Sequence, residues 1–418
     1  MSSIPSPIVS LFKVKNFRYF ILGRFFTTIA VQMQMTTIGL QIYYEFGRSE
    51  WALGLTGLFE AIPFIAASFF SGYISDRYNR KGIMLFTCIA LLLSSLLLFL
   101  LSANKNYYSL GFSYYAIFGV IVLIGTIRSF FAATMNPWLS QLIDRSLYTT
   151  SATMNSTAWH IASISGPILA AYMYGLDGNY SAEKIYITNM LLFLVGIIFF
   201  AIIKFTHKLE RKIKEGILES LKVGVDFVFK HKTLLSVLSL DLFAVLFGGA
   251  VAILPAFNDK VLLGSPQDLG LLRTAPGIGA VLMAVILAFR PPAKNAGRLL
   301  LFSIICFGIF TIGFALCTNY WLAFAMLLLT GAFDNVSVVI RGAILQLMTP
   351  DEMRGRVSAV NSVFIGSSNE IGGFESGLAA RLMGLVNSVI FGGVMTVLVV
   401  GTINKLNPKL KSLDITKV

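Results

Sequence analysis

The sequence predicts an all-α membrane protein with twelve transmembrane helices in two pseudo-symmetric six-helix bundles. Three observations support this fold class: an apolar composition, a concentration of basic residues in alternate loops, and an internal repeat. Of the 418 residues, 56% are hydrophobic and only 13% are charged, a balance that is unusual for a soluble domain. A run of about 18 apolar residues is long enough to cross a hydrocarbon core of about 30 Å as a helix, and such runs recur along the chain.

The predicted spans come in two groups of six. The first group is Phe17–Phe46, Trp51–Ile74, Gly82–Ser102, Ser113–Leu142, Thr150–Gly175 and Lys184–Phe205. The second group is Thr233–Phe257, Asp268–Phe289, Leu299–Leu316, Tyr320–Met348, Val357–Met383 and Val386–Ile403. The domain prediction is therefore an N-terminal bundle over residues 1–205, a cytoplasmic linker over 206–232 and a C-terminal bundle over 233–418. The first apolar run is expected to be a retained span and not a signal peptide.

Basic residues decide the predicted orientation of these spans. The formal net charge is +13, but most of the Lys and Arg residues fall in the loops on one side of the twelve-span topology, together with both termini. Positive residues favour the cytoplasmic side of a membrane. We therefore predict a multi-pass protein of the cell membrane with both termini in the cytoplasm, and the basic charge is explained without a nucleic-acid partner.

An internal repeat relates the two predicted bundles. Similar short motifs occur in the fourth and fifth spans and again in the tenth and eleventh, at an offset of 206 residues with one residue of slippage at a Gln-Leu pair. The matched positions are Gly125 with Gly331, Arg128 with Asp334, Asn155 with Asn361, and Gly166 with Gly372. Parallel halves related by an axis along the membrane normal are a known transporter architecture, so the repeat favours a duplicated six-helix unit.

Several classes of function are disfavoured by missing motifs. The three cysteines lie in apolar spans without paired spacing, and only three histidines are present, so we expect no disulfide framework and no metal site. The chain contains no GxxxxGK[ST] loop and no HExxH, GxSxG or GxGD signature. The sequence therefore predicts a protein that is not an enzyme and that uses no cofactor.

A cluster of charges between the second and third spans carries the most specific motif. The segment GYISDRYNRKGIM resembles the signature loop of the major facilitator superfamily, and its matching residues are Gly72, Ile74, Ser75, Asp76, Arg77, Arg80 and Lys81. Asn79 replaces the usual second Gly of that signature. The resemblance implies a conformational latch that holds the two halves together on the cytoplasmic side. The alternative is that the basic residues only set the topology.

Two further resemblances lie in the N-terminal half. Arg128 falls where many proton-coupled members of the superfamily carry a buried Arg, and SGPILAA with Gly166 and Pro167 resembles the fifth-span motif of the antiporter branch. An ordinary proline kink would also explain Pro167. The segment Asp241–Phe257 is similar to the seventh span of the enterobactin-exporter-like branch, which implies an export-type relative without naming a substrate.

Charged residues inside the predicted spans are candidates for the transport pathway, because a charge near the bilayer centre costs about 2.5–3.5 kcal/mol on insertion scales. Arg24 lies at a depth comparable to Asp241, and Arg128 is repeat-equivalent to Asp334. Each pair has opposite signs, which suits proton coupling, although structural ion pairs would give the same pattern. The candidate substrate and proton pathway consists of Arg24, Gln32, Glu60, Arg128, Asp241, Asp334 and Glu370, with Arg341 and Glu375 as further charges inside the spans.

The function predicted from these features is secondary active transport by alternating access. We expect a proton-coupled exporter of a small amphiphilic molecule, siderophore-like or drug-like, that works as a monomer in the lipid bilayer. A proton-coupled uptake symporter is the nearer alternative, and a non-transporting membrane scaffold or receptor is the alternative from another class.

Overall fold

The computed structural model describes residues 7–104, 110–144, 147–175, 181–204, 217–289, 295–350 and 353–414. Inside these ranges a few side chains, among them those of Asp76 and Glu370, lie outside the described part. Every regular element that the structure describes is helical. The helices are α1 (Pro7–Lys13), α2 (Lys15–Glu45), α3 (Glu50–Arg77), α4 (Arg80–Ala103), α5 (Leu110–Gln141), α6 (Tyr148–Gly175), α7 (Glu183–Ile202), α8 (Ile217–Lys230), α9 (Lys232–Phe247), α10 (Leu254–Lys260), α11 (Pro266–Phe289), α12 (Ala296–Ala315), α13 (Tyr320–Met348), α14 (Arg354–Met383), α15 (Leu385–Leu406) and a short 3-10 helix (Pro408–Ser412).

Each of the twelve predicted spans coincides with helical structure, and α13 has the predicted bounds. Eight helices in the described ranges contain a segment that is long and apolar enough to cross a membrane. Among them α4 has 24 residues and is about 36 Å long at 1.5 Å per residue, which exceeds the hydrocarbon thickness. The prediction of an all-helical membrane protein is confirmed.

The seventh predicted span is not one continuous helix. Helix α9 ends at Phe247, and α10 begins only at Leu254. Gly248 and Gly249 follow α9 directly, and Pro255 lies in the first turn of α10. Glycine lowers helix stability. Proline has no backbone N–H to donate, and it is tolerated in the first turn of a helix because the N–H groups there have no partner within the helix. The break therefore follows from local sequence, and the prediction of a span over 233–257 did not include it.

The chain divides into two compact units. Unit 1 comprises Met1–Gln41 and Ile62–Lys212, and its core is rich in aromatic rings. Phe20, Trp138 and Phe200 are fully buried, and their ring centroids lie 5.4–6.0 Å apart. These rings come from α2, α5 and α7, so the core fixes the mutual positions of three membrane helices inside unit 1. Aromatic pairs at this spacing are stabilising beyond their buried area.

Unit 2 comprises Ile42–Ala61 and Ile213–Val418. A cluster of buried side chains in unit 2 joins α9, α12, α13 and α15. Helix α8 falls within the predicted linker, and its apolar face packs through Val228 against Leu238, Val357 and Val360. The predicted linker thus contains a helix that lies on the helices of unit 2.

Candidate functional site

A pocket in unit 1 is built around Arg24 of α2. Its volume is about 440 Å³, within the range of small-molecule sites. The lining residues are Arg24, Asn136, Leu139, Ser140, Ile143, Tyr148, Ser151, Asn155, Ser156 and Trp159. They come from α2, the C-terminal end of α5, the N-terminal end of α6 and the segment between α5 and α6. This is the end of the unit that the basic loops predict to be cytoplasmic.

Two asparagines hold the Arg24 guanidinium. Arg24 Nη1 donates to Asn155 Oδ1 at 2.5 Å and to Asn136 Oδ1 at 3.4 Å. Asn155 Nδ2 also donates to Asn136 Oδ1 at 3.4 Å, so the two amides and the guanidinium form one network. Among the described residues, Arg24 has no carboxylate partner. The described side-chain partners of Arg24 are therefore two neutral amides.

The close packing of α6 on α2 helps to position this network. A Cβ at Gly166 would lie 2.7 Å from Gln32 Cβ and 2.9 Å from the Ile29 carbonyl oxygen. Only a residue without a side chain fits at that distance, so Gly166 is required for the approach of the two helices. Gln32, predicted to contact substrate, lies at this helix contact. Pro167, the next residue, lies inside α6, which continues to Gly175.

A buried ion pair lies in unit 2. Asp241 of α9 contacts Arg341 of α13, and the two side chains are each only 6% exposed. Arg24 and Asp241 lie in different units and each has a partner within its own unit, so their proposed match stays a prediction. A buried ion pair avoids the cost of a single buried charge. Arg341 was noted in the sequence only as a charge inside a span, and its depth alone did not reveal its partner.

Asp334 lies on α13, seven residues before Arg341, and is partly buried. Seven residues make about two helical turns, so the two side chains lie on the same helix face about 10 Å apart along the axis. No hydrogen bond or ion pair joins Asp334 to any described residue. Its repeat-equivalent, Arg128 of α5, makes a contact of 3.9 Å with Met35 Sδ within unit 1. The pairing of Arg128 with Asp334 thus stays a prediction.

Comparison with known proteins decides the family. The model of the Major Facilitator Superfamily matches residues 20–372, which is most of the chain. The chain belongs to the major facilitator superfamily. Its members are transporters, so the predictions of the family and of a protein that is not an enzyme are confirmed.

Two curated relatives match over most of this superfamily member. The staphyloferrin A transporter of Staphylococcus aureus is 21% identical over 370 residues, covering 86% of this chain and 88% of the relative. The multidrug resistance protein MdtG of Dickeya zeae is 23% identical over 401 residues, covering 92% of this chain and 91% of the relative. These two relatives agree with the siderophore- and drug-exporter-like branch that the sequence resembles.

Solved structures agree with the fold. A D-xylose–proton symporter has a TM-score of 0.71 at 14% identity and covers 98% of this chain and 100% of its own. A POT family transporter in complex with 5-aminolevulinic acid has a TM-score of 0.72 at 11% identity, with 94% and 96% covered. At such low identity the likeness shows the major facilitator fold alone.

The superfamily signature segment makes contacts within unit 1. Lys81 Nζ donates to the carbonyl oxygens of Ala201 and Ile203 at 2.7 Å each, where a cation is favourable at the C-terminus of α7. Arg80 donates to the carbonyl oxygens of Ser75 and Pro137 at 3.1 Å. Both side chains therefore join helices within the N-terminal half, a role beyond setting topology.

The other signature residues differ from one another. Arg77 stacks on the Tyr73 ring at 5.7 Å and also donates to its hydroxyl, and this hydrogen bond raises the pKa of Arg77. A Cβ at Gly72 would meet no described atom within 4 Å, so no close packing contact requires a glycine at this position. The Asp76 side chain lies outside the described part, and its latch role stays a prediction.

The remaining predicted acids are spread over two helices of unit 2. Glu60 of α3 is 7% exposed, and its Oε1 atom has no hydrogen-bond partner among the described atoms. Glu375 of α14 is partly buried, whereas the Glu370 side chain lies outside the described part. Sequence reasoning missed Asn136 and Asn155 as Arg24 partners. Asn155 had been seen only as a repeat position, and its contact with Arg24 spans 131 residues.

Contacts within unit 2 join the α2–α3 turn to α10. Arg48 Nη1 lies 3.2 Å from Asp259, Tyr43 donates to the same carboxylate at 2.9 Å, and Lys260 pairs with Glu50. These residues lie at the end that the topology predicts to be external. Exposed ion pairs contribute about 0–1 kcal/mol each, so these contacts add little to the stability of unit 2.

Proposed function

We propose that this protein is a proton-coupled secondary exporter of a small amphiphilic molecule and works by alternating access. Membership of a transporter family supplies the general activity. The observation that carries the finer proposal is the placement of Asp334 on the same face of α13 as the buried Asp241–Arg341 pair. An acid without a described partner, two turns from a buried ion pair, is suited to take up and release a proton.

The proposed proton carrier is Asp334, and Asp241 and Arg341 are the charges whose balance changes with it. When Asp334 is ionised, a second negative group competes with Asp241 for the field of Arg341. When Asp334 is protonated, that competition disappears. A conformational change that alters the solvation of this helix face then changes the proton affinity of Asp334, which is the thermodynamic requirement for coupling. Glu60, Arg128, Glu370 and Glu375 are secondary candidates in the same pathway.

The names of the relatives guide the choice of cargo. One is a staphyloferrin A transporter and the other a multidrug resistance protein, so we propose siderophore-like or drug-like amphiphilic cargo. A suitable probe panel contains staphyloferrin A, the amphiphilic acid indole-3-acetate and the lipophilic cation ethidium.

Substrate-dependent proton movement tests this proposal. Inside-out membrane vesicles with an acidic lumen are monitored with a pH-sensitive dye while each member of the probe panel is added. We expect at least one probe to trigger proton release from vesicles that contain the protein, and none from vesicles without it. Proton movement that is identical with and without the protein for every probe would argue for the scaffold or receptor alternative.

We also propose that both termini are cytoplasmic, which the distribution of basic residues supports. A reporter fused after Lys417 and another inserted near Lys212 should report the cytoplasm, and one near Asn104 should report the opposite side. An external signal at Lys212 would overturn this orientation.

A further inference from the structure

The Arg24 pocket in unit 1 contains a positive charge that the described part of the protein does not neutralise. In unit 2 the buried Arg341 has the carboxylate of Asp241 as its partner. Arg24, by contrast, is held only by the amide oxygens of Asn136 and Asn155. A guanidinium ion in a spanning helix is costly unless a partner or water compensates it. The described part of unit 1 supplies no carboxylate for the partly buried Arg24, so its compensation comes from outside the chain, either from water or from an anion that enters the pocket.

The geometry of Arg24 leaves donors for such an anion. Both recorded hydrogen bonds of Arg24 use the Nη1 atom, and no described residue accepts from Nη2 or Nε. These two nitrogens lie on one edge of the planar guanidinium, the edge that binds a carboxylate or phosphate through two parallel hydrogen bonds. The two asparagines fix the orientation of the side chain, so this edge is preorganised.

The other residues that line the pocket indicate the chemistry of the rest of the ligand. Leu139, Ile143 and the ring of Trp159 provide apolar surface, while Ser156 adds a hydroxyl group. The volume of about 440 Å³ is larger than a single carboxylate or phosphate requires. A ligand that fills the pocket would therefore carry an anionic group at Arg24 and an apolar or aromatic body against Trp159.

We propose that this pocket binds the anionic group, a carboxylate or phosphate, of an amphiphilic molecule that is the cargo of the transporter. That the ligand is cargo rests on the proposed function, whereas the existence of the anion site does not. The pocket lies at the end of unit 1 predicted to be cytoplasmic, where an exporter must load its cargo. An anionic lipid headgroup has the same chemistry at this depth, and the experiment separates the two sources.

Ligand binding to the purified full-length protein in neutral detergent tests the site without requiring transport. Citrate and indole-3-acetate are titrated by calorimetry at constant ionic strength, and indole-3-acetamide, which has nearly the same shape but no charge, is the matched control ligand. We expect at least one of the two anions to bind and the amide to bind at least tenfold more weakly. A hydrogen bond to a charged group corresponds to about a tenfold to hundredfold change in affinity.

Three variants locate the effect. Arg24→Gln should weaken anion binding about tenfold to hundredfold. Asn155→Asp places a carboxylate against the guanidinium and should abolish anion binding while the melting temperature stays the same or rises, so a loss of binding cannot be attributed to misfolding. Arg18→Gln removes an exposed arginine from the same helix and should leave the affinity unchanged.

Nanodiscs distinguish the two sources of the anion. If the ligand is soluble cargo, the Arg24-dependent binding of citrate or indole-3-acetate is the same in phosphatidylcholine and phosphatidylglycerol nanodiscs. If the ligand is a lipid headgroup, phosphatidylglycerol raises the melting temperature of the parent and not of Arg24→Gln, and it abolishes binding of the soluble anions. That result would support the anion site and contradict the proposal that its ligand is cargo.

The proposal is overturned if no anion, soluble or lipid, acts in an Arg24-dependent way, or if Asn155→Asp binds anions as the parent does. Arg24-dependent binding without any proton-coupled transport would sink the proposed function and leave the anion site intact. Proton-coupled transport without Arg24-dependent binding would support the proposed function and overturn the anion site.

Discussion

Replacing Asp241 with Asn should destabilise the protein strongly, because it leaves Arg341 as an uncompensated charge in a buried site. Both side chains are only 6% exposed, so water cannot replace the lost carboxylate. Removing one partner of a buried ion pair costs about 3–5 kcal/mol, and the insertion cost of a central arginine, about 2.5–3.5 kcal/mol, is of the same size. We therefore expect the free energy of unfolding to fall by about 3–5 kcal/mol.

The double variant Asp241→Asn with Arg341→Gln should recover most of this loss. It removes both opposite charges at once: Asn has the same shape as Asp, and Gln is a shorter neutral side chain in place of Arg. Replacing a buried ion pair by neutral side chains that pack well is often close to neutral in stability. The measured quantity is the free energy of unfolding in mixed detergent micelles for the parent, both single variants and the double variant. The matched control is Asp226→Asn, an exposed acid on α8, which should change stability by less than about 0.5 kcal/mol.

Two results would refute this reasoning. If Asp241→Asn is as mild as the Asp226 control, the ion pair does not matter for folding. If the double variant is no more stable than the singles, the loss comes from another cause than the unpaired charge. Transport by the double variant adds information about coupling: full uphill transport would exclude Asp241 and Arg341 from the proton pathway.

Four other substitutions give distinct outcomes. Asp334→Asn breaks no described hydrogen bond or ion pair, so it should keep the stability of the parent. It should lose uphill transport but retain substrate exchange in the absence of a gradient. Loss of stability in detergent would instead indicate a structural role for Asp334. Gly166→Val should lower the free energy of unfolding by about 1–3 kcal/mol through overpacking against α2. Gly72→Ala should be near neutral in the same unfolding assay. Equal effects of the two variants would contradict the close packing of α6 on α2 at Gly166. Lys81→Met should cost about 1.5–3 kcal/mol through loss of its hydrogen bonds to the end of α7, and a melting temperature equal to that of the parent would show that these bonds are not made in the membrane-extracted protein.

The sequence was sufficient for the spans because a membrane helix is determined by its own residues. A run of apolar side chains long enough to cross the bilayer forms a helix whatever its neighbours are. The bounds of α13 were therefore predicted to the residue. The break between α9 and α10 was missed, although the sequence indicates it through Gly248, Gly249 and Pro255. Hydropathy counts apolar content and does not register the backbone preferences of glycine and proline.

The partners of the buried charges were beyond sequence reasoning for a different reason. The repeat indicates which positions are equivalent between the halves, but it carries no information on which side chains of one half touch each other. Asp241 and Arg341 are 100 positions apart in the numbering and meet only because α9 and α13 pack together. Arg24 and Asn155 meet for the same kind of reason in unit 1. The sequence therefore predicts how deep a charged residue lies in its span and the sign of its charge, but not which side chain it contacts.

The direction and energy source of transport are the central claim, and uphill accumulation measures both. Inside-out and right-side-out vesicles are each prepared with an acidic lumen and with an alkaline lumen at one external pH, and uptake of each member of the probe panel is followed with the parent and with Asp334→Asn. We predict that a probe accumulates above its external concentration only when the lumen is acidic, that a protonophore abolishes the accumulation, and that Asp334→Asn does not support it. Accumulation that is confined to right-side-out vesicles with an alkaline lumen, or that is unaffected by the protonophore, would contradict a proton-coupled exporter.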